Sequence, residues 1–181
     1  MPSTDRQPSA KVMQSLFDWM STLIGALVLV AFVYAFLFRV VTVSGESMER
    51  TLQNGDHLVM VTRLYSLDYG DVVVIGREGG EPIIKRVIGL PGDVIDINGD
   101  TGAVTRNGVI LEEPYIRDGM TPPFFFVGPY TVPEGAVFAM GDNRCNSHDS
   151  RDDGAYSQRR VLGEAVFRLS PFNKFGSIQE G

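Results

Sequence analysis

From Trp19 to Phe38 the chain runs W-M-S-T-L-I-G-A-L-V-L-V-A-F-V-Y-A-F-L-F, twenty residues without a charge. A helix needs about 20 such residues to cross the hydrocarbon core of a bilayer. A helix apolar on every side and buried in protein would need more chain around it than 181 residues provide. A secretory signal cut near Val33 and Ala35 is opposed by the apolar run continuing through Phe38. A retained transmembrane anchor is the better reading, with Trp19 and Tyr34 suited to the headgroup regions. Residues 1–18 are then expected as a cytoplasmic tail, with helix beginning near Lys11, 19–38 as the anchor, and 39–181 as an extracytoplasmic domain. Arg6 and Lys11 before the run nearly balance Arg39 and Arg50 after it, so the short tail, more than the charges, favours this orientation.

The 143 residues after Phe38 suffice for a hydrophobic core. The formal charge of -6 argues against a nucleic-acid partner, which would call for a basic face. The single cysteine, Cys145, excludes an internal disulfide and any multi-cysteine metal site.

Beyond Arg39 short apolar segments alternate with Gly, Asn, Asp and Pro. Strands are expected at Val40–Val43, His57–Thr62, Asp71–Ile75, Ile83–Leu90, Val94–Ile97, Val109–Leu111, Phe124–Val127, Ala136–Met140 and Val161–Leu169. Turns are marked by Asn54-Gly55-Asp56, Gly79-Gly80, Pro91-Gly92-Asp93 and Asn98-Gly99-Asp100, and Asn107-Gly108 signals a hairpin. No long helical stripe follows the anchor. The fold class is all-β: antiparallel sheets, closed or folded over into a barrel-like domain, with one N-terminal transmembrane helix. Asp118 to Pro133 reads as an extended loop, its Phe124-Phe125-Phe126 either packing locally or meeting a peptide or lipid surface.

Two side chains point to chemistry. Ser47, in Ser44-Gly45-Glu46-Ser47-Met48, lies where a tight turn can expose its hydroxyl and offer a backbone N–H to an oxyanion. A serine beside glycine is more often just a turn residue. Lys85 strengthens the case, because in Ile83-Ile84-Lys85-Arg86-Val87-Ile88 two adjacent cations on an alternating strand send one toward the apolar side. If that one is Lys85, desolvation favours a neutral amine able to accept the Ser47 proton. If not, its stem covers apolar surface while its head stays wet.

A third cluster, Met140 to Gly154, is dense in short polar and charged side chains. It suits a hydrogen-bonded loop supporting a site, or a solvated loop. Asp142, Asp149, Asp152 and Asp153 lack the spacing of a calcium loop, and Arg144 and Arg151 oppose one. His57 and His148 have no third zinc ligand. No cofactor is expected. A triad from Ser47, His148 and Asp149 would need adjacent residues to line up behind a distant serine, so a Ser-Lys dyad is simpler.

In order and spacing, four blocks resemble the bacterial type I signal peptidases with a single N-terminal anchor. They are Ser44-Gly45-Glu46-Ser47-Met48-Glu49-Arg50-Thr51-Leu52 with Gly55-Asp56, Tyr69 to Val74, Lys85 to Asp93, and Gly141-Asp142-Asn143-Arg144 with Asn146-Ser147 and Asp149-Ser150-Arg151. Pro171 to Gly176 resembles the family's ending, and the likeness spans roughly Leu23 to Gly176. The resemblance implies an antiparallel β domain at the membrane that removes signal peptides from exported preproteins after small residues. It implies Ser47 as the acylated nucleophile, Lys85 as general base, Ser147 as the residue that positions the lysine, and Asp149 with Arg151 as a supporting pair. Asp142 and Arg144 are implied as supports, and Met48 as part of the substrate pocket and membrane-facing surface.

Some positions depart from the pattern. Arg50 replaces the usual proline, removing a fixed φ and adding a charge. Gly45 stands where some relatives carry a serine that helps form the oxyanion hole, Cys145 where an acid is common, and Ser170 where an aromatic is common. A soluble self-cleaving Ser-Lys regulator is opposed by the Trp19–Phe38 run, and a noncatalytic anchored scaffold would leave Ser47 unused.

Overall fold

The computed structural model describes residues 10–62 and 66–178. The expected tail residues 1–9 therefore lie outside the described residues. The chain divides into two units at residues 37 and 38.

The first unit is one continuous helix, α1 (Ala10–Leu37). No proline interrupts it, and Ser21 and Thr22 return their hydroxyls to the Phe17 and Asp18 carbonyls, so no polar side chain in this stretch breaks the pattern. Among the described residues it is the helix long and apolar enough to cross a membrane. Helix extends through residues 10–18, further toward the N-terminus than Lys11, and ends one residue before Phe38, which opens the first strand.

The second unit is mostly β-sheet, and its strand pairs are antiparallel. Its strands are β1 (Phe38–Thr42), β2 (His57–Val61), β3 (Val72–Ile75), β4 (Ile83–Gly89), β5 (Val94–Ile97), β6 (Val104–Arg106), β7 (Val109–Ile110), β8 (Tyr130–Thr131), β9 (Ala136–Met140), β10 (Tyr156–Ser157), β11 (Val161–Ser170) and β12 (Gly176–Ser177). The larger sheet has the order β1-β2-β11-β3-β4-β9-β10, with β12 on β11, and the smaller has the order β7-β6-β5-β8. The larger sheet curls into a half-barrel without closing, since β1 and β10 end its path. Register shifts along β11 and between β4 and β9 supply the curl, because an extra residue on one strand bends it and tightens its twist.

The Asn107-Gly108 hairpin forms between β6 and β7, with φ of 55° and 79°, the left-handed pair such a two-residue turn requires. Phe124–Val127 is not a strand. Phe124 sits at φ 49° in a turn, so the segment has no ladder partner. Its three rings part company: Phe126 packs on Phe138 and Tyr130, whereas Phe124 and Phe125 are exposed.

Three apolar clusters fill the unit. One joins Met48 and Leu52 to Leu58, Val72, Val74 and Ile84, a second joins Ile88 and Phe138 to Ile95 and Val104, and a third joins Val73, Ile75 and Val87 to Val137 and Tyr156. Strand β4 contributes to all three, through Ile84, Ile88 and Val87. It is therefore covered on both faces.

Candidate active site

Ser47 sits on a short loop closed at its neck by Val43, whose N–H donates to the Asp56 carbonyl and whose carbonyl accepts from the Gly55 N–H, both at 2.9 Å. Gly45 takes φ 90° and gives its N–H to Asn54 Oδ1, a conformation costly for any residue with a Cβ. A tight hydrogen-bonded turn follows, the Thr51 and Leu52 N–H groups both donating to the Met48 carbonyl. Met48 and Leu52, 1% and 0% exposed, pull the turn into the first apolar cluster and leave Ser47 half-buried above it. Met48 thus packs as a core residue. The Ser47 N–H is spent on no acceptor among the described residues.

Lys85 is 2% exposed and Arg86 4%. Strand alternation called for one of the two to turn inward; both do, because β4 lies between β3 and β9 with both faces covered. Their fates differ. Arg86 donates from Nε and Nη2 to the two oxygens of Asp142 at 2.9 and 2.7 Å and from Nη1 to the Gly70 carbonyl at 2.8 Å. Its guanidinium also lies 4.2 Å over the Tyr115 ring. The Lys85 side chain makes no ion pair or hydrogen bond among the described residues. Burial lowers its pKa from 10.5 to about 8; the Asp149 carboxylate opposes that fall, and Arg151 and Arg77 add to it.

The polar loop after β9 supplies the rest. Asp149 accepts from the Gly141 N–H at 3.0 Å, the Ser147 hydroxyl at 2.7 Å, and Arg151 Nε and Nη2 at 2.9 Å. Burial alone would raise its pKa, but these donors outweigh burial and hold the carboxyl below its ordinary range. Asp149 also caps helix α2 (Ser150–Asp153) in a reciprocal box with Asp152, which fixes the loop's exit. Arg144, fully buried, pairs with both oxygens of Glu113 and donates to the Gly141 carbonyl and the Thr121 hydroxyl.

Gly141 is where these pieces touch. A Cβ there would lie 2.3 Å from Ser147 Oγ and 2.4 Å from the Ser47 carbonyl oxygen. The same carbonyl accepts the Asn143 N–H at 3.0 Å. Ser47, Gly141, Ser147 and Asp149 thus form one chain of contacts, and Lys85 lies in the field of its last member. No hydrogen bond joins Ser47 Oγ to Lys85 Nζ among the described residues. Such bonds are often loose without substrate.

Asp142 couples the two halves. Besides the Arg86 fork it accepts the Thr51 hydroxyl at 2.6 Å, so one carboxylate holds both the Ser47 loop and the Lys85 strand. Arg86, Thr51, Glu113 and Gly141 were not singled out as supports from sequence. Asp142→Asn should leave the Arg86 charge uncompensated and cost about 3–5 kcal/mol, the usual loss on breaking a buried pair. A fall in Tm of about 10 °C in a thermal melt would register it; an unchanged Tm would mean that the pair carries no net stability.

A family model described as "Signal peptidase, peptidase S26" matches residues 16–170. The chain belongs to this family. A signal peptidase I of Bacillus licheniformis is 39% identical over 183 residues, which cover 93% of this chain and 96% of that protein. A signal peptidase I of Leptolyngbya laminosa is 33% identical over 187 residues, 95% of this chain and 90% of that one. A crystal structure of a signal peptidase I from Enterococcus faecalis V583 aligns at 30% identity and TM-score 0.48 over 57% of this chain and all of its own. Membership makes the chain a serine peptidase of the signal peptidase I kind, and α1 fits a membrane-anchored form of it.

Proposed function

We propose that this signal peptidase removes N-terminal signal peptides from exported preproteins by serine acylation, with Ser47 as nucleophile and Lys85 as general base. Residues 19–38 hold it in the cell membrane as a single-pass anchor, and residues 39–181 work on the extracytoplasmic side. The observation that carries the reading is a buried, unpaired lysine whose charged form is disfavoured, one chain of contacts from a half-buried serine.

A neutral Lys85 takes the Ser47 proton as Oγ bonds to the scissile carbonyl carbon, and the Ser47 N–H stands ready for the oxyanion. The lysine then returns the proton to the departing amine as the C–N bond breaks, leaving an acyl ester on Ser47. Water, giving a proton to Lys85, adds to the ester carbon; Lys85 passes that proton to Ser47 Oγ as the Oγ–C bond breaks, which frees the signal peptide with a new carboxyl group and restores both side chains. Ser147 positions the lysine, Asp149 with Arg151 fixes Ser147, and Asp142 and Arg144 hold the surrounding loops.

A groove of about 700 Å³ supports a substrate bound in extended form. It is lined by Val40 to Ser44 along β1, the edge strand, and by Pro82 and Ile84 just before Lys85. An extended peptide can add to such an edge and set alternate side chains into the groove. Small side chains one and three residues before the cut fit this reading.

Detergent-solubilised enzyme should cut an exported preprotein after a small residue, as located by mass spectrometry, and Ser47→Ala should abolish the cut. The rate should rise with pH through about 8, where Lys85 gives up its proton. Undiminished cutting by Ser47→Ala would remove Ser47 from the mechanism, and a rate flat from pH 6 to 10 would remove Lys85 as the base.

A further inference from the structure

Arg50, three residues after Ser47, has an unusual conformation and an unusual charge balance. Its φ is 95°, in the left-handed region that disfavours any side chain and that a proline ring, fixed near -65°, cannot enter. Strained backbone of this kind gathers at sites where function maintains it. The side chain donates to the Ile116 carbonyl at 2.6 Å. It meets no carboxylate at ion-pair distance among the described residues, whereas its neighbours are matched, Glu49 with Arg117 and Glu113 with Arg144.

Arg50 lines a second cleft, of about 400 Å³, together with Glu113, Ile116 and Gly119. The loop that carries Ser47 thus gives Ser44 to one cleft and Arg50 to the other, with Ser47 midway between them in the chain. If residues before the cut occupy the groove along β1, the chain after the cut leaves on the Arg50 side. Three residues of chain reach at most about 11 Å, the span of about three residues of an extended peptide at about 3.3 Å each. The Arg50 head therefore meets the first three residues of the mature protein.

We infer that Arg50 is a specificity residue for the mature side of the substrate, pairing with an acidic side chain within three residues after the cut. The inference rests on the peptidase reading above. Arg50 is exposed, so the pair is worth the modest amount typical of a wet ion pair, and salt weakens it.

The test uses full-length enzyme in detergent and two preproteins identical except for Asp or Lys as the second residue after the cut. The wild type should process the Asp form with a kcat/KM about fivefold higher, a gap that narrows in high salt. Arg50→Gln should bring the ratio to about one and Arg50→Glu should reverse it. Arg50→Gly, which relieves the backbone, should also abolish the preference and guards against a folding defect in the others. A ratio near one in an active wild type overturns this inference alone. So does a ratio that survives in Arg50→Gln while both rates fall together, since Arg50 would then serve only as a tether to Ile116. Failure of the wild type to cut either preprotein overturns the peptidase reading, and this inference with it.

Discussion

Lys85→Met should abolish cleavage and at the same time make the protein more stable. Methionine keeps the length and apolar stem of lysine but accepts no proton, so the Ser47 hydroxyl loses its base. General-base catalysis contributes about 10²–10⁴-fold, and a loss of at least about 10³-fold in kcat is expected. The stability gain follows from the cost of the buried amine. Each tenfold change in proton affinity is worth about 1.4 kcal/mol, so the fall from 10.5 to about 8 costs roughly 3 kcal/mol whenever Lys85 is charged. The folded state binds this proton more weakly than the unfolded chain does. Between pH 8 and 10.5 the unfolded chain holds more protons, so wild-type stability rises with pH across that window, and below it the whole penalty is felt. The methionine variant has no such term, and at pH 7 its Tm should exceed the wild type's by about 5 °C or more. A dead variant with a lower Tm would mean that Lys85 holds the fold together instead of straining it.

Gly141→Ala should damage the site more than its single methyl suggests. The added carbon would lie within 2.4 Å of the Ser47 carbonyl oxygen and 2.3 Å of Ser147 Oγ. The serine hydroxyl can rotate away, but the carbonyl is backbone, tied to the Asn143 N–H at 3.0 Å. The Ser47 loop therefore has to move. A displacement of about 1 Å commonly costs about 10²-fold in rate, and overpacking costs about 1–3 kcal/mol in stability. Both should appear together, as a lower kcat in the preprotein assay and a lower Tm. Gly99→Ala, where a methyl would meet nothing within 4 Å, should change neither. Wild-type kcat in Gly141→Ala would show that Ser47 is not held where this contact puts it.

The parts of the structure legible in the sequence were those with local causes. The Trp19–Phe38 run needed only its length and lack of charge to indicate α1, and Asn107-Gly108 needed only its tolerance of left-handed backbone to indicate the β6–β7 hairpin. The longer strands announced themselves by apolar runs between turns. Strands of two or three residues, such as β6, β8, β10 and β12, have no period to detect and exist only because a distant partner offers a ladder. The candidate site divides in the same way. Ser47 and Lys85 could be singled out by residue type and the Asp149–Arg151 pair by resemblance, and Asp149 and Arg151 do meet. The burial of Arg86 beside Lys85 could not, because its partner Asp142 is 56 positions away. The burial of Met48 was illegible for a related reason: which side of a tight turn is roofed by core depends on β2, β3 and β4 together.

The shared carboxylate of Asp142 also bears on how this sequence can change over time. Thr51, Arg86 and Asp142 come from three separate stretches, yet the one carboxylate of Asp142 serves both of the others. Substitutions at the three positions should therefore be non-additive, with the second change costing less than the first. Drift should be constrained accordingly: a lineage that loses Asp142 gains little by keeping Arg86 buried, so the acid and the cation should change together.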